Sequence, residues 1–189
     1  LRPDGQSGVM VSSVEAFERY QEENAWTWEH QALLRARPVA GSEGIAAQFV
    51  RIRADTLSKR VRHDRLKSDV IDMRQRMRQK LDKSDSEYFD LKQGKGGIGD
   101  IEFIVQYLVL SNAADASSVY FYSDNIRQLD ALAAAGFLDA GAAERLQQIY
   151  KRYRLRLHHL ALDDRTALVS DDEFPVEREF VEDLWKQVL

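Results

Sequence analysis

Cysteine is absent from the chain, which excludes disulfides and thiolate chemistry and leaves only four histidines and the carboxylates for any zinc site. No apolar run reaches the roughly 18 to 20 residues that a membrane span requires. The N-terminus also lacks the basic-then-apolar layout of a signal peptide, so the cytoplasm is the expected compartment and no membrane partner is expected. Aromatic residues are missing from 51–80, although eleven basic residues against four acids give that segment a local charge of +7. A nucleic-acid surface interleaves stacking rings with its cations, so the segment reads as a solvated helix face and no nucleic-acid partner is expected. Residues 163–183 carry the opposite excess, nine acids against two arginines. No G-K-[ST] follows the glycines and no G-S-x-D-x-D carboxylate pair occurs anywhere. What remains is the composition of an ordinary soluble globular chain, with 44% hydrophobic and 31% charged residues among 189. That length supports one good core or two small ones. The opening "LRPDGQSG", without methionine, reads as a piece of a longer protein.

Periodicity gives helix after helix and almost no strand. "SSVEAFERYQEENAWTWEHQALLRAR" starts with Ser12 and Glu15 in capping-box spacing, breaks near Asn24 and resumes to Arg37, where Pro38 forces the exit. Residues 43–57 make an amphipathic helix on Ile45, Phe49, Ile52 and Leu57, and another runs on Val70, Met73, Met77 and Leu81. "IEFIVQYLVL" is apolar nearly all the way round and belongs in the middle of the fold. "SDNIRQLDALAAAGFL" begins at Ser123 and stops at Gly136, with Phe137 as the apolar partner of a Schellman motif. "AAERLQQIYKRYRLRLHHLAL" and "VEREFVEDLWKQVL" complete a helical bundle. Only the first dozen residues, with "GVMV", resemble a strand.

The stretch "DLKQGKGGIGDIEF" carries the chemistry question, because Gly94, Gly96 and Gly99 have the spacing of a dinucleotide-binding turn. That turn needs a buried strand before the glycines and another after the helix. "EYFDLKQ" is short and half polar, and "SNAADASS" is no strand, so the dinucleotide reading fails. A more general property survives: the amides of "GKGGIG" stand at the start of a buried helix, where an anion is favoured, and Lys92 and Lys95 strengthen the attraction. Asp100 and Glu102 oppose it. Two positions apart, they point to different sides of a helix and cannot share one ion. The competing structural reading makes Asp100 an N-cap and pairs Glu102 with an internal arginine. His158 and His159 face different directions and read as packing or hydrogen-bonding residues, not a metal pair. Trp26 and Trp28 read as core anchors of a helix end, and "SDDE" at 170–173 as a loop and helix cap.

"LRPDGQSG", "AWTWEHQALLRARPVAG", "KGGIGDIEFIVQYLVL", "SDNIRQL" and "LHHLAL" together resemble the C-terminal portion of the bifunctional glutamine-synthetase adenylyltransferase/adenylyl-removing enzyme family. "WTWEHQAL" and "DIEF" look like its second, adenylyl-transferring module. The resemblance implies a mostly α chain, a helical bundle following the end of a nucleotidyltransferase α/β module. Residues 1–22 would close the catalytic module and 23–189 form the helical domain. It implies AMP transfer from ATP to a tyrosine of glutamine synthetase, with Mg2+, under control of glutamine and a PII signal protein. The family's catalytic carboxylates lie upstream of "LRP", so no catalytic or metal-binding residue is expected in this chain, and the chain alone is expected to be inactive. Tyr122 stands where the family pattern has tryptophan.

The resemblance also implies that Lys92, Lys95, Gly96 and Gly97 face the ATP phosphates, joined by Arg2. Asp100 and Glu102 would orient arginines or the nucleotide sugar. Such roles rest on binding and charge neutralisation, not proton transfer. The alternative is a regulatory interaction module that binds PII or glutamine, its glycine loop purely structural.

Overall fold

A computed structural model describes residues 11–189. Arg2, and nearly all of the strand-like opening, lie outside the described residues. The rest is mostly α: α1 Val14–Glu23, α2 Thr27–Leu34, α3 Glu43–Lys59, α4 His63–Leu81, α5 Ile98–Asn112, α6 Asn125–Ala134, α7 Ala140–Leu162 and α8 Pro175–Val188. A short 3-10 turn, Ser117–Tyr120, links α5 to α6. The expected break at Asn24 is the C-cap of α1.

Helix α5 is the axis. Ile101, Ile104, Val105, Val109 and Leu110 are completely buried, and α2, α4, α6, α7 and α8 all pack against it. Burying each such side chain contributes about 1.5–3 kcal/mol, so a helix apolar on every side is stable only where neighbours surround it. Its partners present one apolar stripe each: Leu33 and Leu34 from α2, Leu66 and Val70 from α4, Leu129 and Leu132 from α6, Leu146 and Tyr153 from α7, Val181 from α8. The stop of α6 is a Schellman motif. Phe137 N–H donates to the Leu132 carbonyl at 2.9 Å, Gly136 N–H donates to that of Ala133 at 3.0 Å, and Gly136 takes φ 78°.

Several local expectations are corrected. Ser13, not Ser12, caps α1, its hydroxyl accepting from Ala16 N–H at 3.1 Å. Asp124, not Ser123, caps α6 through Arg127 N–H at 3.0 Å. Helix α2 ends at Leu34, not Arg37, and α3 runs on to Lys59. Neighbouring serines and aspartates are equally competent caps, and tertiary fit selects among them. The strands that sequence reading missed are β1 Tyr88–Asp90 and β2 Leu168–Ser170, paired antiparallel with Phe89 opposite Val169. Each has three residues, too few for an alternating pattern to register. Their pairing fixes where the glycine loop begins.

Trp26 and Trp28 are also not core anchors, being 55% and 44% exposed. They flank a cleft against α4, with the Arg62 guanidinium 5.0 Å from the Trp26 ring centre. The helix end they were expected to anchor is held by polar contacts. Glu29 accepts from Trp26 N–H at 2.9 Å and from the Tyr20 hydroxyl at 2.6 Å, tying α1 to α2.

Candidate functional site

The glycine loop turns between β1 and α5, and Asp90 shapes its first half. One Asp90 carboxylate oxygen accepts from Lys92 N–H and Gln93 N–H at 2.9 and 3.0 Å, and its carbonyl accepts from Gly94 N–H at 2.8 Å. The second half closes on α5. Gly97 N–H donates to Gly94, Ile98 N–H to Leu91 and Gly99 N–H to Lys92, all at 3.0–3.1 Å. Gly97 is the N-cap residue, so Asp100 is the third residue of the helix and not its cap. Asp100 nevertheless reaches back to accept from Gly96 N–H at 2.8 Å.

The helix N-terminus therefore already holds a carboxylate from its own chain. Asp100 is 2% exposed, and two arginines from α4 converge on it. Arg74 Nε donates at 2.7 Å; Arg78 grips both carboxylate oxygens at 2.7 and 2.9 Å. Arg74 is fully buried, and its remaining nitrogens donate to the Gln93 side-chain and main-chain oxygens at 3.0 and 2.8 Å. A buried guanidinium is tolerable only when its donors are met in this way. Sequence reading missed both arginines as site residues. The signal was their i,i+4 spacing within the basic segment, which puts them on one face of α4.

The glycines are needed for packing. A Cβ on Gly99 would stand 2.7 Å from an Arg74 nitrogen, and one on Gly97 2.9 Å from the Leu91 carbonyl oxygen. Gly96 has φ 75°, and a Cβ there would lie 2.6 Å from the Arg178 carbonyl oxygen at the start of α8. Gly96 and Gly97 are buried, whereas the side chains of Lys92 and Lys95 face solvent.

Glu102 points to the other side of α5, as two-residue spacing demands. Its carboxylate accepts from Arg35, just past α2, at 2.8 Å and from the Tyr150 hydroxyl of α7 at 3.3 Å. Burial alone would lower the Arg35 pKa, but the Glu102 carboxylate overrides it and the net shift is upward. Burial first, then the same carboxylate, raises the Tyr150 phenol above its ordinary value. The two carboxylates therefore stand in separate ion pairs on separate faces, each with arginine.

His158 and His159 are both exposed, not packed, and the His158 ring has a hydrogen-bonding neighbour in Arg154 at 3.5 Å. Residues 170–173 end β2 and turn into α8, with Asp171 bound to Arg178 and Glu173 to Arg156. Among the described residues no group of three or more histidine, aspartate or glutamate side chains is arranged to hold a metal ion. None of their helices is long and apolar enough to cross a membrane.

Two family models match the chain. One described as glutamate-ammonia ligase adenylyltransferase covers residues 1–52, and one described as GlnD PII-uridylyltransferase covers residues 64–181. Among curated proteins, bifunctional glutamine synthetase adenylyltransferase/adenylyl-removing enzymes are similar over the whole chain. The one from Methylococcus capsulatus is 47% identical over 189 residues, that from Hahella chejuensis 47% over 193 and that from Pseudomonas aeruginosa 41% over 200. All of this chain is covered in each case, and the chain spans about a fifth of the length of these relatives, 20% of each.

Proposed function

The chain belongs to the family of bifunctional glutamine synthetase adenylyltransferase/adenylyl-removing enzymes, and on that premise we propose that it serves as the C-terminal part of such an enzyme in the cytoplasm. The reaction is transfer of AMP from ATP to a tyrosine of glutamine synthetase. Similarity along the entire chain, at 47% identity, carries this reading. Residues 1–22 then close the catalytic module and 23–189 form its helical domain, the boundary falling one residue before the end of α1. The match of 64–181 to a PII-uridylyltransferase family supports a PII signal protein as regulatory partner, with glutamine as effector.

The described residues do not fit Mg2+, since no three or more of their histidine, aspartate or glutamate side chains are arranged to hold a metal ion. In-line phosphoryl transfer places such acids around the reacting phosphates, and here they belong outside this part of the chain. This chain contributes position and charge. Lys92 and Lys95 present exposed ammonium groups for the ATP phosphates, and Arg2 is proposed beside them. Gly96, Gly97 and Asp100 hold the loop that carries the lysines, while Glu102 orients Arg35. Asp100 keeps the helix N-terminus neutralised, so the loop approaches nucleotide with its side chains instead of its amides.

The test is transfer of labelled AMP from ATP to glutamine synthetase by the longer polypeptide that carries this chain. Transfer should occur, should respond to glutamine and PII, and should be absent when residues 1–189 are supplied alone. A folded full-length protein that transfers no AMP to glutamine synthetase would overturn the reading.

A further inference from the structure

A groove of about 230 Å³ opens between Lys92 and the last turns of α7. Its lining includes Lys92, Arg154, His158 and Arg165 around an apolar floor of Leu157 and Leu160, and no carboxylate lines it. The contrast along α7 is sharp. Arg152 and Arg156, four apart, bind Glu177 and Glu173, and Asp163 acts on Arg156. Arg154 and His158, also four apart, lie on a different face, 3.5 Å from each other, and the other group on which Arg154 acts is the Tyr150 phenol. Among the described residues the side chains of Lys92, Arg154 and Arg165 have no carboxylate partner, although most arginines of the fold do.

Like charges gathered in a concave space repel one another, and the field they focus draws in anions. Three permanent cations and an imidazole exceed what one carboxylate can neutralise. They suit a compact group of several charges, whose oxygens accept from guanidinium and ammonium together. No aromatic ring lines the groove, so a stacked single-stranded nucleic acid is not its ligand. We propose that this groove is a binding site for a small polyphosphate, either free or as the phosphate chain of a nucleotide. It goes beyond the AMP-transfer reading and shares with it only Lys92.

The experiment is isothermal titration of the 189-residue chain at low salt with sodium tripolyphosphate, ATP and AMP in turn. Tripolyphosphate and ATP should bind saturably, more tightly than AMP, and both affinities should fall as salt rises. Equal affinities would assign the free anion as ligand; tighter ATP would assign the nucleotide. Changing Arg154→Gln with Arg165→Gln should weaken tripolyphosphate at least tenfold without altering the circular dichroism spectrum, and Arg154→Lys with Arg165→Lys should recover part of the loss. No saturable binding of either polyphosphate, or binding unchanged in the glutamine variant, would overturn the site. So would polyglutamate binding here in place of tripolyphosphate. Because the readout is anion binding, failure of the groove and failure of AMP transfer remain separate results.

Discussion

Asp100 shows how little of a charged residue's role its sequence context reveals. "GDIEF" marks it as sitting at a helix start, but the two arginines that claim it come from a helix about 25 positions earlier, and only tertiary packing brings them there. Asp100→Ala should cost about 3–5 kcal/mol in urea unfolding, because it strands a fully buried Arg74. A loss under about 0.5 kcal/mol would mean Arg74 finds other partners. Lys92→Ala should instead leave the melting temperature unchanged. In the full-length protein it should reduce kcat/KM for ATP about tenfold to a hundredfold, the equivalent of a charge-assisted contact of about 1.5–3 kcal/mol. Wild-type kinetics would reduce it to a solvated charge. His30 gives a pH prediction. Burial, then the nearby Arg62, lowers its pKa below the ordinary 6.5, so the folded state prefers the neutral ring. Its contribution is full above the unfolded pKa and is lost as pH falls through the folded one. Stability should therefore decline as pH drops below about 6.5 in the wild type, and His30→Gln should flatten that decline.

At the level of elements, the helices were legible because each carries a 3.6-residue apolar stripe or, in α5, an unbroken apolar surface. The Schellman stop at Gly136 and Phe137 was equally legible, since its residues are local and chemically distinctive. The β1–β2 pair was not: its partners are some 80 residues apart and each strand offers one inward side chain to the core, Phe89 and Val169. Trp26 and Trp28 misled for a related reason, as large aromatic side chains signal burial without saying whether another surface provides it. The glycine loop looked like a phosphate cradle because an open helix N-terminus and one occupied by the chain's own aspartate have the same local sequence. Gly97→Val should accordingly lower the melting temperature, its branched side chain colliding with the Leu91 carbonyl. Unchanged melting with lost AMP transfer would restore the loop amides as nucleotide contacts.

Across the whole molecule, the segments of opposite charge do not pair with one another as their +7 and −7 balances suggest. Acids of 163–183 bind arginines of α7 and α8, while the basic stretch binds Glu18, Glu22, Asp55 and Asp100. Attraction is thus satisfied locally, and apolar packing around α5 carries the assembly. Far-UV circular dichroism should show a strongly helical spectrum, and a sheet-dominated one would contradict the architecture. The tethered loop also bears on how the chain is cut. Lys92 and Lys95 are exposed, and Lys95 stands between two glycines, an inviting target for trypsin, yet a protease must draw several residues into its cleft in extended form. Every amide from Lys92 to Gly99 except that of Lys95 is engaged inside the molecule. Nicking there requires α4, β1 and α5 to part together, whereas the exposed link between α2 and α3, around Val39 and Ala40, opens by itself. Brief digestion with elastase should sever that link first, and trypsin should spare the two lysines until the bundle unfolds.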